Sequence, residues 1–473
     1  MEEIDEQNWE YAHRLFQCVA AASRPLRAEE LAEFLAFDFD AGSTPEFLAS
    51  WRSEDPEHEV LSICSTLLVV VKPLFSPPVI QFAHFSVQEY LTSARLAKTK
   101  DTVSRFHVSI TLAHTIVAKA CLGVLLHFDE TIIRDRLEDF PLVKYAATHW
   151  FDHARFENVS SKVEDGMKRL FDPRKMHFAI WVWIYNPEHP RRLWRRFERR
   201  VAAKTKPLHY AAFCGLHDVV TFLIVEHSQD VNARSFRRWE TPLLVAVRMG
   251  HVEIAQLLLK HGADTEARDT AYNSPLEMVT VKGQVELAQV LLEHGADANV
   301  QDKERCTPLY WASQFGQLAV AQVLLSHGAD VTAQCMYNQT PLHLAKDEEV
   351  ARLLLEHGAD ANALDINHRT PLHYVSGLGR MGLTQFLLER GADANARDTN
   401  NSTPLHSACN PVYKCYIFGD VEYLGIVRLL LEYNSDVHAR DDEGQTPFMR
   451  AMAEGRDNIM QLLLEHGADD HRV

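Results

Sequence analysis

The stretch that decides the fold is Thr241-Pro242-Leu243-Leu244-Val245-Ala246-Val247-Arg248-Met249-Gly250-His251-Val252-Glu253-Ile254-Ala255-Gln256-Leu257-Leu258-Leu259-Lys260-His261-Gly262-Ala263-Asp264. A threonine precedes a proline at the first helical position, where the missing N–H costs nothing. Eight residues later Gly250 ends that helix. A second apolar run follows, and the glycine of His261-Gly262 supplies the left-handed residue that closes it. The unit is helix, turn, helix. Working outward, the proline recurs at 207, 275, 308, 341, 371, 404 and 447. Intervals cluster at 33 residues, which marks a repeat architecture whose units bury their apolar faces by stacking.

The words T-P-L-H-x-A, G-H-x-E-x-A-x-L-L-L and H-G-A-D-x-N-A-x-D resemble the ankyrin repeat, over residues 205–473 as eight units. The resemblance implies stacked helix pairs, a projecting finger between units, a concave face and a protein partner. It also gives the histidines of the T-P-L-H and H-G-A-D words hydrogen-bonding duties inside the repeat rather than metal. Two units depart from the pattern. The fifth runs Ala345-Lys346-Asp347-Glu348-Glu349-Val350 without the turn glycine, so a short first helix is expected. The seventh holds ten extra residues, with Tyr413, Tyr416, Phe418 and Tyr423 in or beside them. Those aromatics read equally as a partner anchor or as side chains folded back on their own repeat.

Finger-tip positions differ between units: Phe236, Arg237, Arg238 and Trp239 in the first, Tyr272 in the second, Lys303 and Arg305 in the third. Met336 and Tyr337 occupy the fourth, Ile366 and His368 the fifth. Together they form an apolar and basic stripe suited to a partner; variable solvated loops are the alternative.

Upstream of Lys206 the period stops. Residues 1–97 show helical spacing over Trp9 to Ala22, Ala28 to Phe37 and Glu57 to Leu67, then two β-prone runs at Leu68 to Val71 and Val79 to Ala83. Three helices and a hairpin read as a winged helix. Its third helix carries Glu57 and Glu59 and no Lys or Arg, so nucleic acid is not expected to bind there. Arg24-Pro25-Leu26, Cys64-Ser65-Thr66-Leu67 and Phe82-Ala83-His84-Phe85-Ser86-Val87-Gln88-Glu89-Tyr90-Leu91 resemble the winged-helix subdomain of NACHT-class STAND signalling ATPases, fungal members of which often end in ankyrin repeats. The resemblance gives His84 a role in sensing bound nucleotide; a buried histidine satisfied by the hairpin backbone is the alternative. No GxxxxGK[ST] occurs, so the ATPase core is expected in cis or in trans outside this chain. The chain itself reads as a fragment, an internal start or a degenerate copy.

Residues 98–204 read as a helical connector, with helices over Val108 to Leu126, Pro141 to His153, Val163 to Phe171 and Phe178 to Tyr185. The cluster Arg191 to Arg200 flanks an apolar stripe of Leu193, Trp194, Phe197 and Val201, expected to cap the first ankyrin unit. His149, His153 and Glu157 share one helical face at metal-ligand spacing, though a polar face is the commoner outcome.

The formal charge is −17, which disfavours free nucleic acid and anionic membrane. Eight scattered cysteines without a CxxC fit a reduced chain. Leu112 to Leu126 is short for a membrane span. No HExxH or GxSxG is present. The expectation is a mostly helical, cytoplasmic, non-enzymatic ankyrin protein with no cofactor and no metal, whose alternative is the sensor half of a STAND ATPase.

Overall fold

The computed structural model describes all residues except 1–7, 43, 65–66, 74–76, 99–101, 129–136, 186, 188–205, 236–237, 411–419 and 470–473. The chain divides into two compact units, 1–237 and 238–473.

In the first unit, α1 (Trp9–Ala21), α2 (Ala28–Ala32) and α3 (Pro56–Cys64) accompany an antiparallel sheet of β1 (Leu26–Arg27), β4 (Leu68–Val71) and β5 (Val79–Phe82), in the order β1-β5-β4. Ile80 of β5 lies opposite Leu26 on one side and Val70 on the other. A separate ribbon pairs β2 (Phe37–Asp38) with β3 (Glu46–Phe47). The apolar face of α1 buries Leu15 and Phe16, with Phe16 against Phe82 and Phe106 at ring distances of 6.1 and 6.3 Å. The sheet is therefore held by aromatic packing from the helix side. This is the winged-helix arrangement, with β1 as a strand too short to show any period.

After α4 (Phe85–Leu91) and α5 (Ala94–Ala97) come α6 (Ile110–His127), α7 (Val143–Ala154), α8 (Ser160–Phe171) and α9 (His177–Ile184). Helix α6 runs 18 residues, near the expected Val108 to Leu126, and, unlike the Leu112 to Leu126 stretch taken alone, is long and apolar enough by length and composition to cross a membrane. Its apolar residues lie on all sides because it is packed by α1, α7 and α8. Ala113, Val117, Cys121 and Val124 are fully buried.

The first ankyrin helix pair, Pro207–Cys214 and His217–Val225, belongs to this unit. Tyr210 packs edge-on against Phe178 and Trp181 of α9, at 5.6 and 6.0 Å. Ser160 Oγ of α8 donates to Asp218 at 2.8 Å, and the Lys168 ammonium sits 5.5 Å from the Phe222 ring. Helices α8 and α9 thus cover the start of the array. The arginine cluster expected in that role lies outside the described residues.

The second unit stacks the remaining helix pairs. Glycines after the first helices take φ of 81° at Gly250, 69° at Gly283 and Gly316, 73° at Gly379 and 68° at Gly455. Asn434 closes its helix with φ 58°. In the fifth unit the first helix shrinks to a single tight turn, Pro341–Leu344, as the three-residue deletion requires. Asp347 then caps the second helix by accepting from Val350 N–H at 3.0 Å.

Candidate functional site

Five fingers of the second unit, the second, third, fifth, sixth and seventh, are tight turns closed by an aspartate. Asp269 Oδ1 accepts from Ala271 and Asn273 N–H, Asp302 from Glu304 and Cys306, Asp365 from Asn367 and Arg369, all at 2.8 to 2.9 Å. Asp398 and Asp441 repeat the pattern. Cys335 takes the aspartate's place in the fourth finger, buried with Cys306 and Tyr310. Arginines on the stems serve the turns: Arg268 donates to Tyr272 O at 2.9 Å and Arg440 to Gly444 O at 3.0 Å.

Five of the six neighbouring finger pairs are tied through their backbones, while fingers two and three meet through Lys303 and the Tyr272 ring. Arg238 O accepts from Thr270 N, Glu304 O from Met336 N, Tyr337 O from Ile366 N, Asn367 O from Thr399 N and Asn400 O from Asp442 N, at 2.8 to 3.1 Å. These bonds use only main-chain groups and join the tips into a ridge.

One residue per finger adopts a left-handed conformation: Trp239 (φ 57°), Tyr272 (72°), Arg305 (59°), Asn338 (56°), His368 (57°), Asn401 (55°) and Gly444 (75°). Glycine and asparagine suit that region; a bulky side chain there costs roughly 1 kcal/mol or more. Four of the expected partner residues, Trp239, Tyr272, Arg305 and His368, occupy this position. Trp239 and Tyr272 are 56% and 55% exposed. Met336 and Tyr337 are exposed just before Asn338, and Arg238 lies beside Trp239, 3.9 Å from Glu240. Lys303 places its ammonium 4.5 Å from the Tyr272 ring. Arg237, Tyr413, Tyr416 and Phe418 lie outside the described residues. Tyr423, by contrast, is buried and donates to Gly377 O at 3.2 Å.

The sequence did not reveal an adjoining groove of about 350 Å³, where Met278, Val281, Trp311 and Phe315 stand above Glu277 and Asp302. Phe315 and Val281 are exposed, and Trp311 stacks along Phe315 while its indole N–H donates to Asp302 at 3.0 Å. An available signal was Phe315 just before the turn glycine, where Met249 and Lys282 stand in the preceding units.

Inside the repeat, the histidines do what the resemblance implied. His343, His373 and His406 accept the cap N–H on Nδ1, and their Nε2 lies 3.0 to 3.1 Å from a carbonyl of the next finger. Burial holds all three below the usual histidine range, although those carbonyls pull upward. Glu277 occupies the same position in the third repeat. Its Oε2 accepts from Ser274 N–H at 2.6 Å, while its buried Oε1 has no hydrogen-bond partner and lies 3.9 Å from Arg268. Burial raises its carboxyl above the usual range.

In the first unit, His84 is exposed rather than buried in the hairpin. It caps α4, accepting from Ser86 N–H on Nδ1 at 3.2 Å. Phe85 beside it is 67% exposed. The face expected to gather His149, His153 and Glu157 is split. His149 pairs with Asp152, and His153 is buried with its Nδ1 2.8 Å from His114 and its Nε2 2.8 Å from Tyr145. Desolvation there drives His153 down to about 3. Among the described residues no group of three or more His, Cys, Asp or Glu is placed to hold a metal.

The family described as ankyrin repeats (3 copies) matches residues 192–269, 276–365, 346–417 and 381–472, and that described as the GPI inositol-deacylase winged helix domain matches 4–106. The chain is 29% identical over 276 residues to the azaphilone pigments biosynthesis cluster protein L of Monascus ruber, covering 55% of this chain and 57% of that one. It is 37% identical over 62 residues to alpha-latrocrustotoxin-Lt1a of Latrodectus tredecimguttatus, 13% of this chain and 4% of the toxin. The chain thus spans little more than half of the first relative and a small part of the second. The crystal structure of the ankyrin repeat domain of Bcl-3 aligns at a TM-score of 0.41 and 25% identity, covering 48% of this chain and all of that domain. With the repeat matched over more than half its length, the chain belongs to the ankyrin-repeat family, and its N-terminal part is a winged-helix domain of the GPI inositol-deacylase type.

Proposed function

We propose that this chain is a non-enzymatic scaffold that holds a protein partner along the finger ridge and the adjoining groove. The observation that carries this reading is the left-handed tip position. Five of the turns and the ladder are built from backbone and aspartate, so folding alone favours glycine or asparagine at the left-handed tip. Tryptophan, tyrosine, arginine and histidine stand there instead, at a cost to stability, which supports selection for what the side chains touch. Its free cysteines, seven among the described residues, suit a reduced cytoplasmic setting. The test is capture of the natural partner from native extract by the full chain: Trp239→Ala with Tyr337→Ala weakens capture about tenfold or more, and His84→Ala leaves it unchanged. Undiminished capture by the double variant sinks the reading.

A second reading is supported by the first unit. Ala83, His84, Phe85, Ser86 and Tyr90 are exposed together, beside a recess of about 360 Å³ lined by Ser23, Arg24, Ile80 and Phe85. Such a face suits a NACHT-type ATPase core supplied in cis or in trans, with the array as sensor in a STAND signalling protein. There His84→Ala raises signalling when the core is present; unchanged output counts against it.

A further inference from the structure

The tips of the ridge are not equivalent, and their chemistry changes in one direction along it. Among the described residues of fingers one to three, the exposed tips carry Arg238, Lys303 and Arg305 against the single acid Glu304, with Trp239 and Tyr272 between. The exposed tip groups are net positive although the whole chain carries −17, the half-buried Asp269 and Asp302 being turned inward onto the N–H groups of their own turns. Fingers four and five show Met336, Tyr337 and Ile366, exposed at 47%, 47% and 54%. The sixth tip, Thr399-Asn400-Asn401, is uncharged. The seventh exposes Asp442 and Glu443. Of the stem arginines, Arg268 adds to the basic end, and Arg397 and Arg440 bond main-chain carbonyls beside fingers six and seven, where the exposed Asp442 and Glu443 outnumber Arg440. Basic, then apolar, then neutral, then acidic is the sequence a ligand meets from the first finger to the seventh.

We propose that the ridge takes one extended segment of a partner protein in a single direction. Acidic residues of that segment lie at fingers one to three, large apolar side chains at fingers four and five, and basic residues at finger seven. The assignment rests on the ridge being the partner site. Its chemistry follows from charge complementarity: an acidic end meets the cations, and reversing the segment sets acid against Asp442 and Glu443 and base against Arg238 and Arg305. The cations stand on turns whose backbone is already fixed, so binding orders their side chains but not the loop.

The experiment is selection of random displayed peptides of about 20 residues, with an extended reach of roughly 65 Å, against the full chain and against three variants. The wild-type chain enriches peptides with Asp and Glu toward one end, large apolar residues centrally and Lys or Arg toward the other. The double variant Lys303→Glu with Arg305→Glu binds those peptides roughly tenfold more weakly and enriches Lys or Arg at the formerly acidic end. These residues are exposed, and an unchanged thermal melt confirms that the variant is folded. Enrichment without charge order, the same acidic bias after charge reversal, or no enrichment overturns the proposal. If the enriched peptides are lost on Trp239→Ala with Tyr337→Ala yet ignore the charge reversal, the ridge is the site and only the direction fails. Indifference to both variants removes the site as well. A chain that is dimeric without peptide, and monomeric on Arg305→Glu, assigns the ridge to a second copy instead.

Discussion

The Nε2 of His343 lies 3.0 Å from the carbonyl oxygen of Arg369, so one helix of a repeat is bolted to the finger of the next. His373 with Ser402 and His406 with Gln445 repeat the link at 3.1 Å. Each ring also accepts a cap N–H, which fixes Nε2 as the protonated nitrogen of a neutral imidazole. Burial keeps these rings neutral, so their folded-state values lie below the unfolded value of about 6.5. Below that pH the unfolded chain binds protons that the folded array refuses. Stability is therefore full above about pH 6.5 and declines as the pH falls. The urea midpoint of the full chain is expected to drop between pH 7.5 and pH 5. His373→Leu costs about 2 kcal/mol at pH 7.5, and its difference from wild type narrows at pH 5. A pH-independent difference refutes the neutral ring.

Glu277 inverts that sign. Its buried carboxyl faces Arg268 at 3.9 Å, the Ser274 N–H and the like charge of Asp302, and its folded-state value is raised chiefly by burial. A raised acid contributes most below its unfolded value of about 4.3, and that contribution is lost as pH rises through the folded value. Glu277→His restores the repeat's own bolt. It is expected to gain about 1 kcal/mol at pH 7.5 in urea melts, with the gain shrinking on acidification, because a buried histidine loses stability as pH falls while a raised glutamate recovers it. A gain that grows on acidification counts against this account.

Arg305 makes the left-handed tip testable for stability. Replacing it with asparagine keeps the backbone conformation and lowers its cost, so Arg305→Asn is expected to stabilise the chain by about 0.5 to 1 kcal/mol while weakening partner capture. A thermal melt and a capture assay on the same preparation decide it: destabilisation together with unchanged capture means the arginine serves the fold.

In the first unit, Glu30 receives both Arg24 guanidinium nitrogens at 2.8 Å and Arg27 N–H at 2.9 Å. Burial alone would raise this carboxyl, but the Arg24 and Arg27 bonds hold it below the usual range. Arg24→Ala leaves the Glu30 carboxylate, 1% exposed, with Arg27 alone, whose guanidinium lies 3.1 Å away, and is expected to cost about 2 kcal/mol. Arg24→Lys keeps the charge but not the fork and recovers only part of it. Equal urea midpoints for both variants would show that the fork adds nothing to charge.

How much of this was legible depended on whether the backbone or the neighbour decides. Thr241-Pro242 and Gly250 are local instructions, and the helices begin and end where those residues place them. The three-residue deletion after Ala345 announced its single-turn helix for the same reason. Strand β1 is only Leu26 and Arg27, and nothing within two residues distinguishes a strand from a turn; it exists because Ile80 lies across from it. The cap of the first ankyrin pair depends on Tyr210 meeting Phe178 and Trp181, contacts made across about thirty residues of sequence. At the site, the tip residues were legible as variable positions. Their shared left-handed geometry was not, because it is a property of the turn and not of tryptophan or arginine. The groove at Trp311 and Phe315 needed two neighbouring repeats in space.

The backbone ladder between fingers has an evolutionary corollary. Since five of the rungs are main-chain bonds and most of the turns are closed by aspartates, an exposed tip outside the Tyr272–Lys303 pair behaves like a movable letter in a printer's frame. One letter can be exchanged without loosening those beside it. Descendants of such a chain can shift allegiance from one partner to another a single finger at a time, while the frame that carries the text stays in print.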